Sequence, residues 1–297
     1  MTKKTKTLLI GNFDGVHTGH QSLITFAKKV ASNSSTELLV VTFNPHPREI
    51  ILGKKIDLIL PYSEKIKLLK DYSINNIEEI NFNKDISTMS PEDFIEKFLE
   101  DKGTVNIVVG SDFKFGFNAS GNIDTLKYYK NSKFNVFPVD LEFLEDERIS
   151  STAIKNFLRD GFVRKANKFL GRKYYIKGFV VEGQKRGRQI GFPTTNLKTD
   201  WGFLPKNGVY VTNIIHNQKK YEGITNIGYR PTFADKGLLI ESHFFDFNEY
   251  IYNEHIKIEF IERIRSEKKF DTVEELIENI KKDVEFAKRT FIEEGSK

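Results

Sequence analysis

Residues 7–20 read TLLIGNFDGVHTGH, and this stretch decides the fold of the first half of the chain. Residues 7–10 predict a buried strand, and residues 21–31 predict a helix. His17 and His20 lie at the turn between them, where backbone N–H groups and the positive end of the helix dipole favour an anion. An imidazole adds a further hydrogen-bond donor. The stretch therefore predicts a phosphate site, and the alternative is a tight turn with two surface histidines.

The composition is that of an ordinary globular protein. A length of 297 residues predicts about two domains, each large enough for its own core. The chain has no cysteine, which excludes disulfides, Cys-ligated zinc and thiol catalysis. The apolar run near its basic start is too short for a signal peptide, and no run approaches the roughly 20 apolar residues that span a bilayer. We therefore expect a soluble, cytoplasmic protein.

The net charge of +5 is unevenly distributed. Nine basic residues lie between Arg164 and Arg188, against the single acid Glu182. Such a run attracts RNA, covers a nucleotide polyphosphate or is solvated surface. We expect mostly solvated surface, with Arg186 and Arg188 as the exceptions. Because the chain has no Arg-Gly repeats and no basic tail, binding of nucleic acid is the weaker hypothesis.

The first half alternates strand patterns with helix patterns. Further strands are predicted at residues 38–41, 105–109 and 136–141. Ser63 and Ser90 are predicted to cap two of the intervening helices, the second with Pro91 at its first position. This alternation predicts an α/β, Rossmann-like parallel sheet, whose ligands bind beyond the carboxyl ends of the strands.

From about residue 172 the pattern changes to short runs of β-branched and aromatic residues separated by Gly, Asn and Pro. This pattern predicts a compact antiparallel β-barrel, with a hairpin tip at residues 216–219. A C-terminal helix follows, with one apolar stripe and a capping box between Thr272 and Glu275. We place the domains at residues 1–165 and 166–297.

Three more segments of the first half adjoin predicted element ends: TFNPHP at 42–47, GSDFKFG at 110–116 and RISST at 148–152. In the first, His46 is equally a turn residue or a ligand contact. The aromatic residues of the second either fill the core or pack against a flat ring. The hydroxyls and the arginine of the third either cap a helix or form a second phosphate clamp.

In this order, the strings GNFDGVHTGH, FNPHP, VVGSDFKFG and RISSTAIK resemble the adenylyltransferase module of bacterial bifunctional riboflavin kinase/FAD synthetases over residues 1–158. That module resembles the wider HxGH nucleotidyltransferases. The resemblance implies that FMN is joined to the AMP part of ATP, with loss of pyrophosphate and with Mg²⁺ present. It implies these site residues: catalytic His17 and His20 on the ATP phosphates, Asn12, Phe13, Gly15 and Gly19 along the nucleotide, Arg148, Ser151 and Thr152 on the triphosphate, and Asp112 in the flavin or nucleotide loop.

A second candidate site begins at residues 183–196, which read GQKRGRQIGFPTTN. A Gly-rich basic loop can fold over polyphosphate, and a Thr hydroxyl and an Asn carbonyl are hard oxygen ligands of the kind that hold Mg²⁺. Downstream, Glu241 places a carboxylate in an otherwise apolar strand. By itself this is an outward-facing acid on an edge strand as readily as a functional group.

Together with GITNIGYRPTF at 223–233 and FFDF at 244–247, these segments resemble the riboflavin kinase module over residues 172–290. The resemblance implies that Glu241 is the general base for the riboflavin 5′-hydroxyl as it attacks the γ-phosphate of ATP. It further implies Thr194 and Asn196 on Mg²⁺–ATP, Gly183 and Arg188 on ATP, and Arg265 and Glu267 on the flavin.

The chain is thus predicted to phosphorylate riboflavin to FMN and to adenylylate FMN to FAD. Lys155, Thr195 and Ser266 stand where the family commonly has Arg, Ala and Pro. Two alternatives stay open: an enzyme with one active site, and a flavin-sensing regulator that binds RNA through the basic run. The oligomeric state is left open.

Overall fold

A computed structural model describes residues 5–129, 134–183, 186–229 and 237–295. The chain forms two compact units, Met1–Ser151 (unit 1) and Thr152–Lys297 (unit 2). The domain boundary predicted at residues 165 and 166 separates two functions rather than two compact units, and it stays a prediction. No helix in the described ranges is long and apolar enough to cross a membrane.

Unit 1 contains a five-stranded sheet in which every pairing is parallel, in the order β3-β2-β1-β4-β5. Its strands are β1 (Lys6–Ile10), β2 (Glu37–Asn44), β3 (Ile77–Asn81), β4 (Thr104–Gly110) and β5 (Asn135–Val139). The helices between them are α1 (Thr18–Asn33), α2 (Pro47–Leu52), α3 (Tyr62–Asp71), α4 (Lys84–Ser87), α5 (Pro91–Phe98) and α6 (Ile123–Tyr128). A short hairpin, β6 (Phe143–Leu144) and β7 (Glu147–Arg148), ends the unit. The predicted Rossmann-like sheet is confirmed.

The sheet of unit 1 is buried on both faces, as expected where helices cross over a parallel sheet. In β1, Leu8 and Ile10 join one core cluster, whereas Leu9 joins the other cluster together with Ile24 and Ala27 of α1. The strand order reverses between β1 and β4, which makes the ends of these two strands the switch point where open α/β sheets bind ligands. The GNFDGVHTGH stretch follows β1 and therefore lies at this point.

The two serine caps have different outcomes. Ser90 caps α5 as predicted: its hydroxyl accepts a hydrogen bond from the Asp93 N–H at 3.1 Å, and Pro91 is the first residue of the helix. The prediction for Ser63 is wrong, because α3 begins at Tyr62 with Pro61 before it, and no side chain in the described residues caps it. Because the ring of Pro61 holds φ at −55°, a value suited to a helix start, the helix begins before the position at which Ser63 would cap it.

Unit 2 is a closed six-stranded antiparallel barrel, as predicted, in the order β10-β11-β12-β9-β8-β13. Its strands are β8 (Tyr174–Val181), β9 (Thr195–Lys198), β10 (Gly208–His216), β11 (Lys219–Tyr229), β12 (Leu238–Phe244) and β13 (His255–Arg265). Its helices are α7 (Ser151–Asp160), which begins at the division, α8 (Val163–Leu170), α9 (Arg186–Gln189) and α10 (Val273–Gly295). Tyr174, Tyr210 and Phe260 are fully buried.

The hairpin tip and the terminal helix follow the sequence closely. Asn217 and Gln218 link β10 to β11 with φ values of 47° and 67°, as a tight two-residue turn requires. The Thr272 hydroxyl accepts a hydrogen bond from the Glu275 N–H at 3.2 Å, but the Glu275 carboxylate accepts one from Asp271, so the predicted capping box forms only in part. Ala287 of α10 is buried in a core cluster with residues of the barrel.

The basic run between residues 164 and 188 is largely engaged with the protein itself. Arg164 pairs with Glu262 at 2.5 Å, and Lys173 pairs with Glu294 at 2.6 Å. Lys177 lies 5.7 Å from the ring centre of Tyr175. Lys185 and the side chain of Arg186 lie outside the described residues, as do residues 230–236.

Candidate active sites

The loop after β1 in unit 1 has an unusual backbone. Phe13 and Val16 have φ values of 53° and 42°, a region that a β-branched or bulky residue rarely adopts. Gly15 lies between them with φ 84°, and a Cβ there would be 2.8 Å from the Ile59 side chain. Backbone strain of this kind persists only where the surrounding structure enforces it, and it concentrates at functional sites.

The two histidines meet at the N-terminus of α1. His17 caps the helix, and its Nδ1 accepts a hydrogen bond from the His20 N–H at 3.3 Å. A neutral His17 therefore carries its proton at Nε2. The two imidazoles stack, with ring centres 3.6 Å apart and planes 17° apart, and the Phe13 ring packs edge-on against His20. Two nearly parallel imidazoles thus lie beside the positive end of the helix dipole.

The RISST segment lies beside the loop that follows β1. The Ser151 hydroxyl donates a hydrogen bond to the Asp14 carbonyl at 2.8 Å, while the Asp14 carboxylate accepts one from the Ile59 N–H, also at 2.8 Å. Arg148 forms an ion pair with Asp112, which follows β4. Unit 1 therefore gathers predicted site residues from both sides of the switch point.

The remaining positions predicted for the nucleotide site around His17 and His20 have plain structural settings. Thr152 is exposed at the second position of α7. A Cβ on Gly19 would be 3.4 Å from Nδ1 of His17, an ordinary contact, so no atom of the described residues requires glycine there. Phe115 fills the core and stacks on the half-buried Phe113. His46 caps α2 by accepting a hydrogen bond from the Arg48 N–H at 3.2 Å.

A cavity of about 40 Å³, partly open to solvent, adjoins the loop after β1. It is lined by Asn12, Asp14, Phe43, Asn44, His46, Glu49, Leu58, Leu60, Tyr62 and Lys65. Lys65 was missed by the sequence interpretation, although a signal existed. It precedes Leu68, Leu69 and Tyr72 by three, four and seven positions, the spacing of one helix face.

In unit 2, three polar residues form one row across neighbouring strands. Glu241 of β12 lies directly opposite Asn196 of β9 on one side and Asn226 of β11 on the other. Directly opposite residues place their side chains about 5 Å apart on the same face of the sheet. The structure therefore brings together Glu241 and Asn196, and adds Asn226, which the sequence interpretation did not single out within GITNIG.

Asn196 has a buried oxygen that suits a ligand role. Its side chain is buried, and its Oδ1 has no hydrogen-bond partner among the described residues. A Cβ on Gly183 would be 2.0 Å from its amide nitrogen, so only glycine lets the chain cross Asn196. Thr194 is exposed, and its hydroxyl would be 3.2 Å from a Cβ on Gly187. Both predicted metal ligands thus lie next to glycines of the Gly-rich loop, Asn196 next to Gly183 and Thr194 next to Gly187.

His243, a residue of β12, is hydrogen-bonded to the segment that precedes Thr194. Its Nδ1–H donates a hydrogen bond to the Pro193 carbonyl at 2.8 Å, and it lies two residues from Glu241 on the same strand face. Burial lowers the pKa of His243, because it disfavours the charged ring, while the bond to Pro193 acts in the opposite direction. A neutral His243 thereby holds the segment that leads into Thr194.

The flavin residues predicted for unit 2 are held in different ways. The Arg265 guanidinium forms three hydrogen bonds of 2.7–3.1 Å to the buried carboxylate of Asp283 on α10. The Glu267 carboxylate lies over Gly228, where a Cβ would be 1.7 Å from its oxygen. Gly228 follows Asn226 by two positions, so Glu267 reaches the face that carries the Glu241 row. Arg188 stacks on Tyr250, 5.4 Å from the ring centre.

Two family models match the chain, one described as FAD synthetase over residues 1–153 and one described as riboflavin kinase over residues 170–291. The bifunctional riboflavin kinase/FMN adenylyltransferase of Bacillus subtilis is 39% identical over 290 residues, covering 96% of this chain and 92% of the relative. That of Listeria monocytogenes is 35% identical over 286 residues, covering 95% and 91%. That of Escherichia coli K12 is 31% identical over 288 residues, covering 96% and 92%.

A solved structure from Streptococcus pneumoniae, described as a macrolide-efflux protein, is also similar. Its TM-score is 0.89 at 31% identity, covering 97% of this chain and 95% of that chain. That description differs from those of the family models, and a shared fold does not transfer a function. The similarity therefore supports the fold alone.

Proposed function

Because the chain belongs to the family of bifunctional riboflavin kinase/FMN adenylyltransferases, we propose that each of its two compact units carries one of the two reactions. The protein uses ATP to phosphorylate riboflavin to FMN and to adenylylate FMN to FAD. Adenylylation belongs to unit 1 and phosphorylation to unit 2, in line with the ranges of the two family models.

In unit 1, an oxygen of the FMN phosphate forms a bond to the α-phosphorus of ATP, while the bond between the α- and β-phosphates breaks and pyrophosphate leaves. The FMN phosphate is already an anion at neutral pH, so the reaction needs alignment and charge stabilisation rather than a strong base. His17 and His20 contact the ATP phosphates at the N-terminus of α1. Arg148 and Ser151 hold the triphosphate, and Arg148 is oriented by Asp112. Thr152 stays a predicted contact of the triphosphate.

The observation that carries this assignment is the stacked pair of imidazoles at the switch point of the sheet. A helix N-terminus with backbone N–H groups and imidazole donors is built to receive an anion. The loop of Asn12, Phe13 and Gly15 then runs along the nucleotide. The lining of the cavity beside it includes Phe43, Leu58, Leu60 and Tyr62, apolar and aromatic side chains of the kind that contact a flat ring.

In unit 2, Glu241 accepts the proton of the riboflavin 5′-hydroxyl while that oxygen attacks the γ-phosphorus of ATP and ADP leaves. An alcohol, unlike a phosphate, benefits from such a base. Asn226, opposite Glu241, supports the orientation of the carboxylate. Gly183 and Arg188 contact ATP, and Glu267 and Arg265 lie on the flavin side.

Mg²⁺ in unit 2 would be held by Thr194 and Asn196. The buried Oδ1 of Asn196, which has no hydrogen-bond partner in the described part of the chain, is a hard oxygen that fits this ion. Once bound, the ion would neutralise charge on the ATP phosphates. Within the described ranges no group of three or more His, Cys, Asp or Glu side chains could hold a metal. ATP phosphates and water would supply the other ligands, as is usual for Mg²⁺.

The test is incubation of the purified protein with riboflavin, ATP and Mg²⁺, with FMN and FAD separated over time. We expect FMN to form first and FAD to follow. If neither product forms, the proposed function is wrong. If only FMN forms, only the assignment of riboflavin phosphorylation to unit 2 is supported.

Two variants test the division of the reactions. His20→Ala is expected to slow FAD formation about 100-fold, the usual loss for a donor at a developing charge, while FMN still accumulates. Glu241→Gln is expected to slow FMN formation by a similar factor, about 100-fold, while supplied FMN is still converted to FAD. Glu222→Gln, at an exposed position of β11, is the matched control. Equal loss of both activities in either variant contradicts two separate sites.

Three predictions stay open: a cytoplasmic location, nucleic-acid binding as the weaker hypothesis, and the domain boundary at residues 165 and 166. The ion pairs of Arg164 and Lys173 with acids of the same chain favour the hypothesis that the run does not serve to bind nucleic acid.

A further inference from the structure

Lys65 is a buried lysine in the wall of the unit 1 cavity, with 7% of its surface exposed. A lysine ammonium has three N–H donors and no acceptor. In this protein all three are used inside the fold. Lys65 Nζ donates to the Asn12 carbonyl at 3.2 Å, to the Thr42 hydroxyl at 3.0 Å and to the Phe43 carbonyl at 3.3 Å.

The position of Lys65 is explained by the sheet. Within β2, the Val41 carbonyl accepts a hydrogen bond from the Gly11 N–H at 3.1 Å, so that side of β2 faces β1. The Phe43 carbonyl, two residues further on, points the same way. There β1 has already ended and the chain turns away at Phe13, so β1 offers no further donor within the described residues. The Lys65 ammonium takes the place of that missing donor.

The same ammonium also reaches the phosphate loop. Thr42 is fully buried, and its hydroxyl, which accepts from Lys65, donates to the Asn12 carbonyl at 3.5 Å. Asn12 therefore receives one hydrogen bond from Lys65 directly and one through Thr42. Asn12 begins the segment that contains the positive φ angles at Phe13, Gly15 and Val16. A strained segment keeps its shape only if its ends are held.

We propose that Lys65 is a positioning residue of the adenylylation site, which ties the ends of β1 and β2 together and so holds the phosphate loop and the cavity wall in register. This inference rests on the proposed function of unit 1. Because its donors are used by protein acceptors, Lys65 acts through Asn12 and Phe43 rather than by touching the substrate.

Several charged or titratable groups surround Lys65. Asp14 and Glu79 stabilise its charged form, and the Tyr62 ring lies 4.6 Å from Nζ. His46 and Glu49 line the same cavity. Burial outweighs the two carboxylates and lowers the pKa of Lys65 to about 8. The loss of its proton would leave two N–H donors for three buried acceptors, so one acceptor would lose its bond.

The sign of the pH effect separates positioning from stability. Adenylylation is expected to weaken as the pH rises through about 8, because the ammonium loses a donor. The stability of unit 1 should change in the opposite direction. With a folded-state pKa below the ordinary lysine value of 10.5, the native state binds fewer protons than the unfolded chain, and stability rises between these two values. A rate that falls while stability rises is not explained by unfolding.

The experiment measures the rate of FAD formation from supplied FMN, with excess Mg²⁺, for the wild type, Lys65→Met and Lys67→Met. The pH runs from about 7 to about 9.5, a range that brackets the pKa of the buried lysine. Lys67 is exposed on the same helix and is the matched control. We expect Lys65→Met to lower kcat/KM for adenylylation on the order of ten- to a hundredfold, the cost of a misplaced site. It should also lose the decline near pH 8. Riboflavin phosphorylation by the same chain should stay unchanged within about twofold in every variant.

Three results would overturn the inference. The first is a Lys65→Met variant that forms FAD as fast as the wild type. The second is a wild-type rate that does not change across this pH range, and the third is a Lys65→Met rate that declines near pH 8 as the wild-type rate does. If Lys65→Met fails to fold in unit 1, as hydrogen exchange of β1 would reveal, the wild-type pH profile decides alone. A wild type that forms no FAD at neutral pH overturns the proposed function and this inference together.

Discussion

At Gly15, backbone conformation and packing both require glycine. Its φ of 84° is unfavourable for a side chain, and a Cβ would lie 2.8 Å from Ile59. Gly53 offers a matched comparison, because it has φ 63° but no atom of the described residues within 4 Å of the place that a Cβ would occupy. The pair separates backbone strain from steric conflict.

We expect Gly15→Ala to destabilise unit 1 by about 2–5 kcal/mol, from backbone strain plus overpacking. Gly53→Ala should cost only the strain, about 1–2 kcal/mol. Hydrogen exchange of the β1 and α1 amides measures both losses. An equal effect of the two variants would show that the contact with Ile59 is relieved without cost.

Gly183 makes a similar case for unit 2. Gly183→Ala places a methyl group 2.0 Å from the Asn196 amide and must displace it. We expect the KM for ATP in riboflavin phosphorylation to rise on the order of tenfold or more, since a small misplacement of a binding group is costly. Gly202→Ala, where the described residues place no atom within 4 Å of the new methyl group, is the control. An unchanged KM for ATP in Gly183→Ala would show that Asn196 is not part of the ATP site.

At the scale of elements, an ion pair attaches α10 to the barrel. The Arg265 guanidinium on β13 binds the Asp283 carboxylate on α10, whose side chain is only 5% exposed. The loss of one partner of a buried pair leaves the other charge uncompensated. Ser266 and Glu267 follow Arg265 directly, so the same pair fixes the start of the segment predicted to meet the flavin.

We expect Asp283→Ala to destabilise unit 2 by about 3–5 kcal/mol. Urea denaturation followed by the fluorescence of Trp201, the single tryptophan of the chain, reports on this unit. Glu278→Gln removes an exposed pair with Lys282 on the same helix and should have no measurable effect. Similar midpoints for Asp283→Ala and Glu278→Gln would contradict a structural role of the Arg265 pair.

Elements were predictable where their signals are local. Ser90 followed by Pro91 marks the start of α5, and the two residues after His216 mark a hairpin, because caps and turns depend on neighbours in sequence. The prediction for Ser63 failed because Pro61 competes for the same helix start. A local signal can be outweighed by a stronger one two positions away.

At the scale of the whole molecule, the two assignments predict complementation in trans. Neither His20→Ala nor Glu241→Gln should convert riboflavin to FAD efficiently. A mixture of the two proteins should do so, after a lag in which free FMN accumulates, because each supplies the unit that the other lacks. FAD synthesis no faster than in the separate variants would indicate that FMN made in unit 2 does not reach a second molecule.

The sequence by itself determined the two folds, the Gly-rich loops and most candidate residues, because periodicity, caps and motifs are encoded by residues close together in the chain. Only the tertiary structure decided which distant residues meet. The register of three strands places Glu241 between Asn196 and Asn226, and the early end of β1 leaves the Phe43 carbonyl, to which Lys65 donates from α3. These contacts arise from the closure of the barrel and the crossing of a helix over the sheet, which no local pattern specifies.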